Sequence, residues 1–201
     1  YGFVNKVKKS LPNNEGFIQA YQSTEGQKHL KEKVTLLHCT TEYPAPFDQI
    51  NLKAMATMAD AFNLPIGYSD HTSGISVSLA AVAREACVIE KHFTLDRNMQ
   101  GPDHKASIEP SDLKALVFGI REIEMSLGQA IKAPSACEVK NKAIARKSII
   151  AKKAILKGEE LNESNLMIKR PGTGLSPNQY YEILGSKAVS DFKIDQLIRM
   201  E

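Results

Sequence analysis

The stretch GYSDHTSG at 67–74 sets Ser69, Asp70 and His71 directly after the apolar Leu64-Pro65-Ile66. Twenty-one residues after His71 the pattern recurs, with Glu90 and His92 inside the short run Val88 to Phe93. Residues two apart in a strand face the same way, so Ser69 shares a face with His71 and Glu90 shares one with His92. On neighbouring strands both pairs open on one cavity. Two neutral imidazoles with oxygen donors suit Mn²⁺, Fe²⁺, Co²⁺ or Zn²⁺. With only two protein ligands, coordination positions stay free for substrate and water, which points to a Lewis-acid role. Taken singly, each histidine is more often a hydrogen-bonded structural residue. Their matched placement raises the metal reading to equal weight.

Other side chains at strand ends extend the candidate site. The polar loop from Thr94 leads to Gly101-Pro102-Asp103-His104. Asp103 can accept hydrogen bonds from the hydroxyls of a polyol, or can simply make an Asx turn after Pro102. His104 is a third histidine within reach, although loop histidines are usually just solvated. Thr40, Thr41 and Tyr43 follow the apolar run from Val34. Their hydroxyls and the nearby backbone N–H groups suit a phosphate, or amount to ordinary loop polarity.

These side chains need strands and helices to hold them. Val34–Thr40 reads as a strand buried on both faces, the type found in parallel sheets. The prolines of Glu42-Tyr43-Pro44-Ala45-Pro46 then impose a loop. Helical spacing covers Asn51–Phe62, Pro65–Asp70 reads as a strand and Ser76–Ala86 as an alanine-rich helix. Cys87–Phe93 is the third strand, and Ser111–Leu127 a helix capped by Ser111 or Asp112. The order βαβαβα predicts a parallel sheet with right-handed crossovers. Polar side chains gather at its strand ends, where such folds keep their sites. Three units cannot close an eight-stranded barrel, so in a barrel most of the fold precedes Tyr1. Residues 1–33 read as polar and irregular.

A second texture begins near Ala143. Ala145–Ala151, Ile155–Leu161 and Leu166–Lys169 are short β-type runs, separated by dense turn signals. They predict a small β-rich domain. Gly128–Lys142, with Pro134 and lysines, reads as a linker. The lysine-rich stretch from Lys140 to Lys157 lacks aromatic partners and reads as a solvated face, not a nucleic-acid surface.

The 201 residues carry a formal charge of +3, which suits a small anionic substrate no worse than a nucleic acid. Cys39, Cys87 and Cys137 have no close pairing, which favours a reducing, cytoplasmic setting over a disulfide framework. No run approaches the roughly 18 apolar residues of a membrane span. Nothing resembles a signal peptide. The opening at Tyr1 without methionine predicts a piece of a longer protein or a processed start.

The strings LLHCTTEYPAP, GYSDHTSG, EKHFTLDRNMQGPDHKASIEP and KRPGTGLSP stand in one characteristic order and spacing. In this the chain, from about Val34 to Ile198, resembles the sialic acid synthases: N-acetylneuraminate synthase and its legionaminate and pseudaminate relatives. The resemblance implies an α/β fold, the C-terminal part of a TIM (β/α)8 barrel followed by a small β-rich antifreeze-like (SAF) domain. The expected boundaries are 1–133 for the barrel units, 134–142 for the linker and 143–201 for the SAF domain.

The family joins phosphoenolpyruvate to an N-acylated hexosamine, releasing phosphate and a nine-carbon 2-keto acid. N-acetylmannosamine is the expected sugar, with a legionaminate or pseudaminate synthase as the alternative. The resemblance implies His71 and His92 as catalytic ligands of a divalent metal, usually Mn²⁺. It implies that Glu90 handles protons or water, Ser69 binds phosphate, Asp103 holds sugar hydroxyls and Tyr43 lines the sugar pocket. It implies that Arg170 reaches the N-acyl group in the partner's barrel of a domain-swapped homodimer. Thr41 stands where some members have asparagine on the phosphate. A hydroxyl can still donate there, but the substrate subclass is left open. No nucleic acid or membrane partner is implied. Two rivals fit less of the chain. A metal-dependent barrel hydrolase explains the histidines but not the second domain, and a stand-alone carbohydrate-binding module explains only residues 143–201.

Overall fold

The computed structural model describes residues 13–201. Residues 1–12, the start of the stretch expected as irregular, lie outside the described residues. Two compact units divide the chain, one ending at Gln129 and one running from Ala130 to Glu201.

In the first unit β1 (Leu36–Cys39), β2 (Ile66–Asp70) and β3 (Ile89–Lys91) form a parallel sheet in the order β1-β2-β3. Helices α3 (Ala54–Phe62) and α4 (Ser76–Ala83) alternate with the strands, and α5 (Pro110–Leu127) follows β3. This is the βαβαβα order that the hydrophobic pattern predicts. β2 is central and buried along its length. Its Gly67 is needed because an added Cβ would lie 2.7 Å from the Val88 carbonyl oxygen, where the lead-in to β3 passes close. β1 is only half-buried, with Cys39 exposed, rather than buried on both faces as expected. Among the described residues it pairs on one side only, with β2. Ile50, Met55, Ile66, Tyr68 and Ala81 fill the core between sheet and helices.

Local chemistry shifts several expected boundaries. α3 starts later than expected and ends at Asn63, whose φ of 51° is left-handed and whose N–H donates to the Ala59 carbonyl. α5 is capped by Glu109, not by Ser111 or Asp112. Pro110 takes the first turn, where its missing N–H costs nothing, and Glu109 and Asp112 form a reciprocal capping box. The region up to Lys33 departs most. It holds α1 (Asn14–Gln22) and α2 (Thr24–Lys33). Asn13 Oδ1 accepts from the Gly16 N–H at 2.8 Å and Ser23 Oγ from the Gly26 N–H at 3.0 Å, so each helix starts on a side-chain cap.

The second unit opens with α6 (Ala136–Ala145), which occupies most of the expected linker and starts on a Ser135–Glu138 capping box. β4 (Ser148–Ala151) and β5 (Leu166–Lys169) pair antiparallel, with Ala151 opposite Leu166. Ile155–Leu161, expected as a strand, pairs only through isolated bridges, Ile155 with Phe192 and Glu160 with Lys187. A short helix, α7 (Tyr180–Ile183), follows β5. Ile149, Ile155, Leu161, Phe192 and Ile198 lie in its core. Buried Asn165 is satisfied: its Oδ1 accepts from the Asn162 N–H at 2.8 Å and its Nδ2 donates to the Glu160 carbonyl at 2.9 Å.

Ile155 is fully buried in that core. Ile155→Ala is expected to destabilise the unit by about 2–5 kcal/mol, the loss of transfer energy plus a cavity. Hydrogen exchange of the β4 and β5 amides measures it, and unchanged protection there would refute the role given to Ile155. Among the described residues no helix is long and apolar enough to cross a membrane.

Candidate active site

Parallel pairing levels the strand ends. Cys39 is the register partner of Ser69, and Ser69 of Glu90. Ser69 Oγ donates to Glu90 Oε1 at 2.6 Å, a short bond assisted by the carboxylate charge. His71 follows β2 and His92 follows β3. Their ring centres lie 5.2 Å apart with planes inclined at 76°. The loop after β1 turns back over them because the Ala45 N–H donates to the His71 carbonyl at 2.9 Å. Tyr43 thereby packs its ring 4.2 Å from that of His71 and 5.2 Å from that of His92.

The pair fits a divalent ion. His71 Nδ1 lies 2.8 Å from the Thr40 carbonyl oxygen. A carbonyl only accepts, so Nδ1 carries the proton and Nε2 keeps its lone pair for a ligand. An ion about 2.1 Å from each nitrogen, with bonds at roughly 90–110°, places two imidazole centres about 4.6–5.3 Å apart. The observed 5.2 Å falls in that range. Among the described residues no group of three or more His, Cys, Asp or Glu side chains is arranged to hold an ion. Within the described residues the candidate ligands are thus the two imidazoles of His71 and His92.

Asp103 comes near this centre, its Oδ2 lying 4.0 Å from His92 Nδ1, and its side chain is largely exposed. That distance is too long for a hydrogen bond. The Asx turn weighed for Asp103 does not form: its carbonyl, not its carboxylate, accepts from the Ala106 N–H and Ser107 Oγ. His104 does not join the other histidines, because its Nδ1 pairs with Thr94 Oγ1 at 2.8 Å. Thr41 lies exposed in the loop before Tyr43. Arg170 belongs to the second unit, where it is exposed and its Nε donates to the Ala145 carbonyl at 3.0 Å.

Beneath the histidines lies a network that the sequence reading missed. Asp70 and Lys91 are register partners on β2 and β3, and Lys91 Nζ lies 3.0 Å from Asp70 Oδ2. Burial is the largest influence on Asp70 and pushes its carboxyl up. Hydrogen bonds from Ser78, Thr72 and Lys91 together outweigh it and hold the group below the ordinary carboxylate range. Tyr68 moves the other way: burial and then the Asp70 charge raise its phenol. A second missed network shapes the loop that carries Asp103. Arg97 pairs with Asp112, its Nε donates to the Ser107 carbonyl at 3.0 Å, and its N–H donates to Glu109 Oε1 at 2.9 Å.

Comparison with known proteins bears on both units. The NeuB family profile matches residues 11–132 and the SAF domain profile residues 146–201. An N,N'-diacetyllegionaminic acid synthase of Campylobacter jejuni is 59% identical over 84% of this chain and 51% of its own length. One from Legionella pneumophila is 48% identical over 79% of this chain and 44% of its own length. The crystal structure of an N-acetylneuraminic acid (sialic acid) synthetase from Leptospira borgpetersenii aligns with a TM-score of 0.51. It is 35% identical, over 66% of this chain and 46% of that one. The chain spans about half the length of the curated relatives it matches. The architecture is thus the one expected: C-terminal βα units of TIM-barrel type followed by an SAF domain.

Proposed function

The chain belongs to the NeuB family, and from that premise we propose that it is the C-terminal part of a synthase condensing phosphoenolpyruvate with an N-acylated hexosamine. The observation that carries the reading is the cluster of His71, His92 and Tyr43 beside the Ser69–Glu90 pair, all at neighbouring strand ends. The sugar acid formed is of the legionaminic type, so the acceptor is a hexose bearing two N-acetyl groups. The two legionaminic acid synthases, at higher identity than the N-acetylneuraminic acid synthetase, favour this over the N-acetylmannosamine expected from the sequence.

His71 and His92 hold the divalent ion, Mn²⁺ in this reading, and their 5.2 Å ring separation supports it. When bound, the ion supplies Lewis acidity toward the sugar aldehyde. Tyr43, packed against both rings, walls the sugar side of the histidines. Asp103 accepts from sugar hydroxyls, while Ser69 and Thr41 donate hydroxyl hydrogens to phosphate. As C3 of the enol attacks the aldehyde carbon, C2 becomes cationic and water adds to it. Glu90 takes the proton that this water loses. The proton that Glu90 took is returned through solvent to the former aldehyde oxygen. The C2–O bond to phosphate breaks, phosphate leaves with the bonding electrons and the proton of the C2 hydroxyl, and C2 becomes the keto carbon.

Arg170 acts on the N-acyl group bound in the partner subunit of a domain-swapped homodimer. Its planar fork suits a carbonyl oxygen, and such a charge-assisted bond contributes about 1.5–3 kcal/mol. Arg170→Ala is expected to raise the KM for the sugar by roughly one to two orders of magnitude on the ~1.4 kcal/mol per tenfold scale. The KM for phosphoenolpyruvate should barely move. Steady-state kinetics on the full-length protein checks this, and an unchanged sugar KM would remove Arg170 from the site.

The reading itself is tested by phosphate release from phosphoenolpyruvate by full-length protein with Mn²⁺. Release is expected with the doubly N-acetylated hexose and to be much slower with N-acetylmannosamine. Faster release with N-acetylmannosamine overturns the legionaminic assignment. No release with either sugar overturns the synthase reading.

A further inference from the structure

Alternation along a strand puts Asp70 and Lys91 on the face opposite Ser69, His71, Glu90 and His92. The Asp70 and Lys91 side chains are 0% and 4% exposed. Lys91 Nζ lies 3.0 Å from Asp70 Oδ2 and 2.7 Å from the Thr72 carbonyl oxygen. Asp70 Oδ1 accepts from the Thr72 N–H and from Thr72 Oγ1, both at 2.8 Å, and Oδ2 accepts from Ser78 Oγ at 2.5 Å. Asp70 and Thr72 are the two chain neighbours of His71, and Lys91 directly precedes His92. The network therefore ties both flanks of one imidazole to the near flank of the other. A buried ion pair adds little net stability, because desolvation offsets the attraction; fixing one arrangement is its best-attested use.

We infer that the Asp70–Lys91 pair is a positioning device that sets the separation of His71 and His92 for a single divalent ion. It touches neither substrate nor ion and acts through the backbone that carries the two rings. The inference rests on the metal reading of the preceding subsection. Groups that orient metal-binding histidines typically change affinity by about 10–100-fold when removed, and an effect near the lower end of that range is expected here.

The test is an electron paramagnetic resonance titration of Mn²⁺ with full-length protein, read beside the melting temperature. Asp70→Asn with Lys91→Met removes both charges and leaves no buried ion unpaired. This double variant is expected to melt near the parent but to bind Mn²⁺ about 10-fold more weakly. Thr72→Val deletes only the Oγ1 donor beside His71 and is expected to weaken Mn²⁺ binding several-fold, with Thr72→Ser restoring it. A pair that serves stability alone would move the melting temperature and leave the affinity of the folded protein in place. Should the double variant not fold, the Thr72 pair decides the matter. Variants that bind Mn²⁺ as the parent does overturn the positioning role alone. A parent that binds no Mn²⁺ overturns the metal reading and this inference with it.

Discussion

Replacing His71 or His92 by alanine in the full-length protein is expected to lower turnover by at least about 10³-fold, because several kcal/mol of Lewis-acid stabilisation goes with the ion. In the proposed site each histidine gives the ion one nitrogen, so either substitution removes one of the two imidazole ligands. The two variants differ in side effects. His71 is buried against Tyr43 and tied to the Thr40 carbonyl, so its removal also loosens the loop after β1. The His92 side chain is about one-third exposed, and its removal disturbs the fold less. A second readout separates metal loss from misfolding. An ion that binds the folded state raises its stability by about 2.7 kcal/mol at 100 times Kd. Added Mn²⁺ should therefore raise the melting temperature of the parent and leave that of either variant unmoved. Parent-level turnover by either variant, after chelation and return of Mn²⁺, would remove these histidines from the metal site.

The facing of these histidines was legible because it rests on a short-range rule. A period of two fixes which residues share a face, and parallel pairing of consecutive βα strands then brings Ser69 level with Glu90. The Asp70–Lys91 pair follows the same rule on the other face, yet its charges read as ordinary strand-end polarity. Only the register shows them buried together. α1 and α2 escaped because NEGFIQAYQ and TEGQKHLKEK lack a continuous apolar stripe and each carries a glycine. Their caps, Asn13 and Ser23, were the available signal, as was the Ser135–Glu138 spacing before α6. Strand ends were read too long since apolar residues run past the last ladder bond; β1 stops at Cys39 although Val34–Thr40 has the right composition. The choice between acylated sugars was not legible at all. It depends on pocket shape, and Thr41 and Tyr43 alone do not determine that shape.

Glu90→Gln is expected to lower kcat by about 10²–10⁴-fold, the range lost with a positioned general base, while leaving the KM for phosphoenolpyruvate little changed. The argument turns on one hydrogen. Ser69 Oγ carries a single hydroxyl hydrogen and donates it to Glu90 Oε1 at 2.6 Å. A phosphate bound at Ser69 needs that same hydrogen. Both demands are met if Glu90 takes up a proton and donates it back to Ser69 Oγ, freeing the hydroxyl hydrogen for phosphate. Proton uptake by Glu90 and the Ser69 bond to phosphate are then parts of one event. A glutamine amide can donate to Ser69 Oγ from the outset, so phosphate binding survives the substitution. It cannot accept the proton lost by water at C2, so turnover does not survive. A glutamate that merely held Ser69 in place would give the opposite split, a raised KM with kcat nearly intact. Steady-state kinetics on Glu90→Gln and Ser69→Ala side by side distinguishes the two roles. Ser69→Ala should leave phosphoenolpyruvate binding little changed and lower kcat by about tenfold, the worth of one hydrogen bond to a charged group that forms only with that proton uptake. A Glu90→Gln protein with parent kcat would show that the proton goes elsewhere.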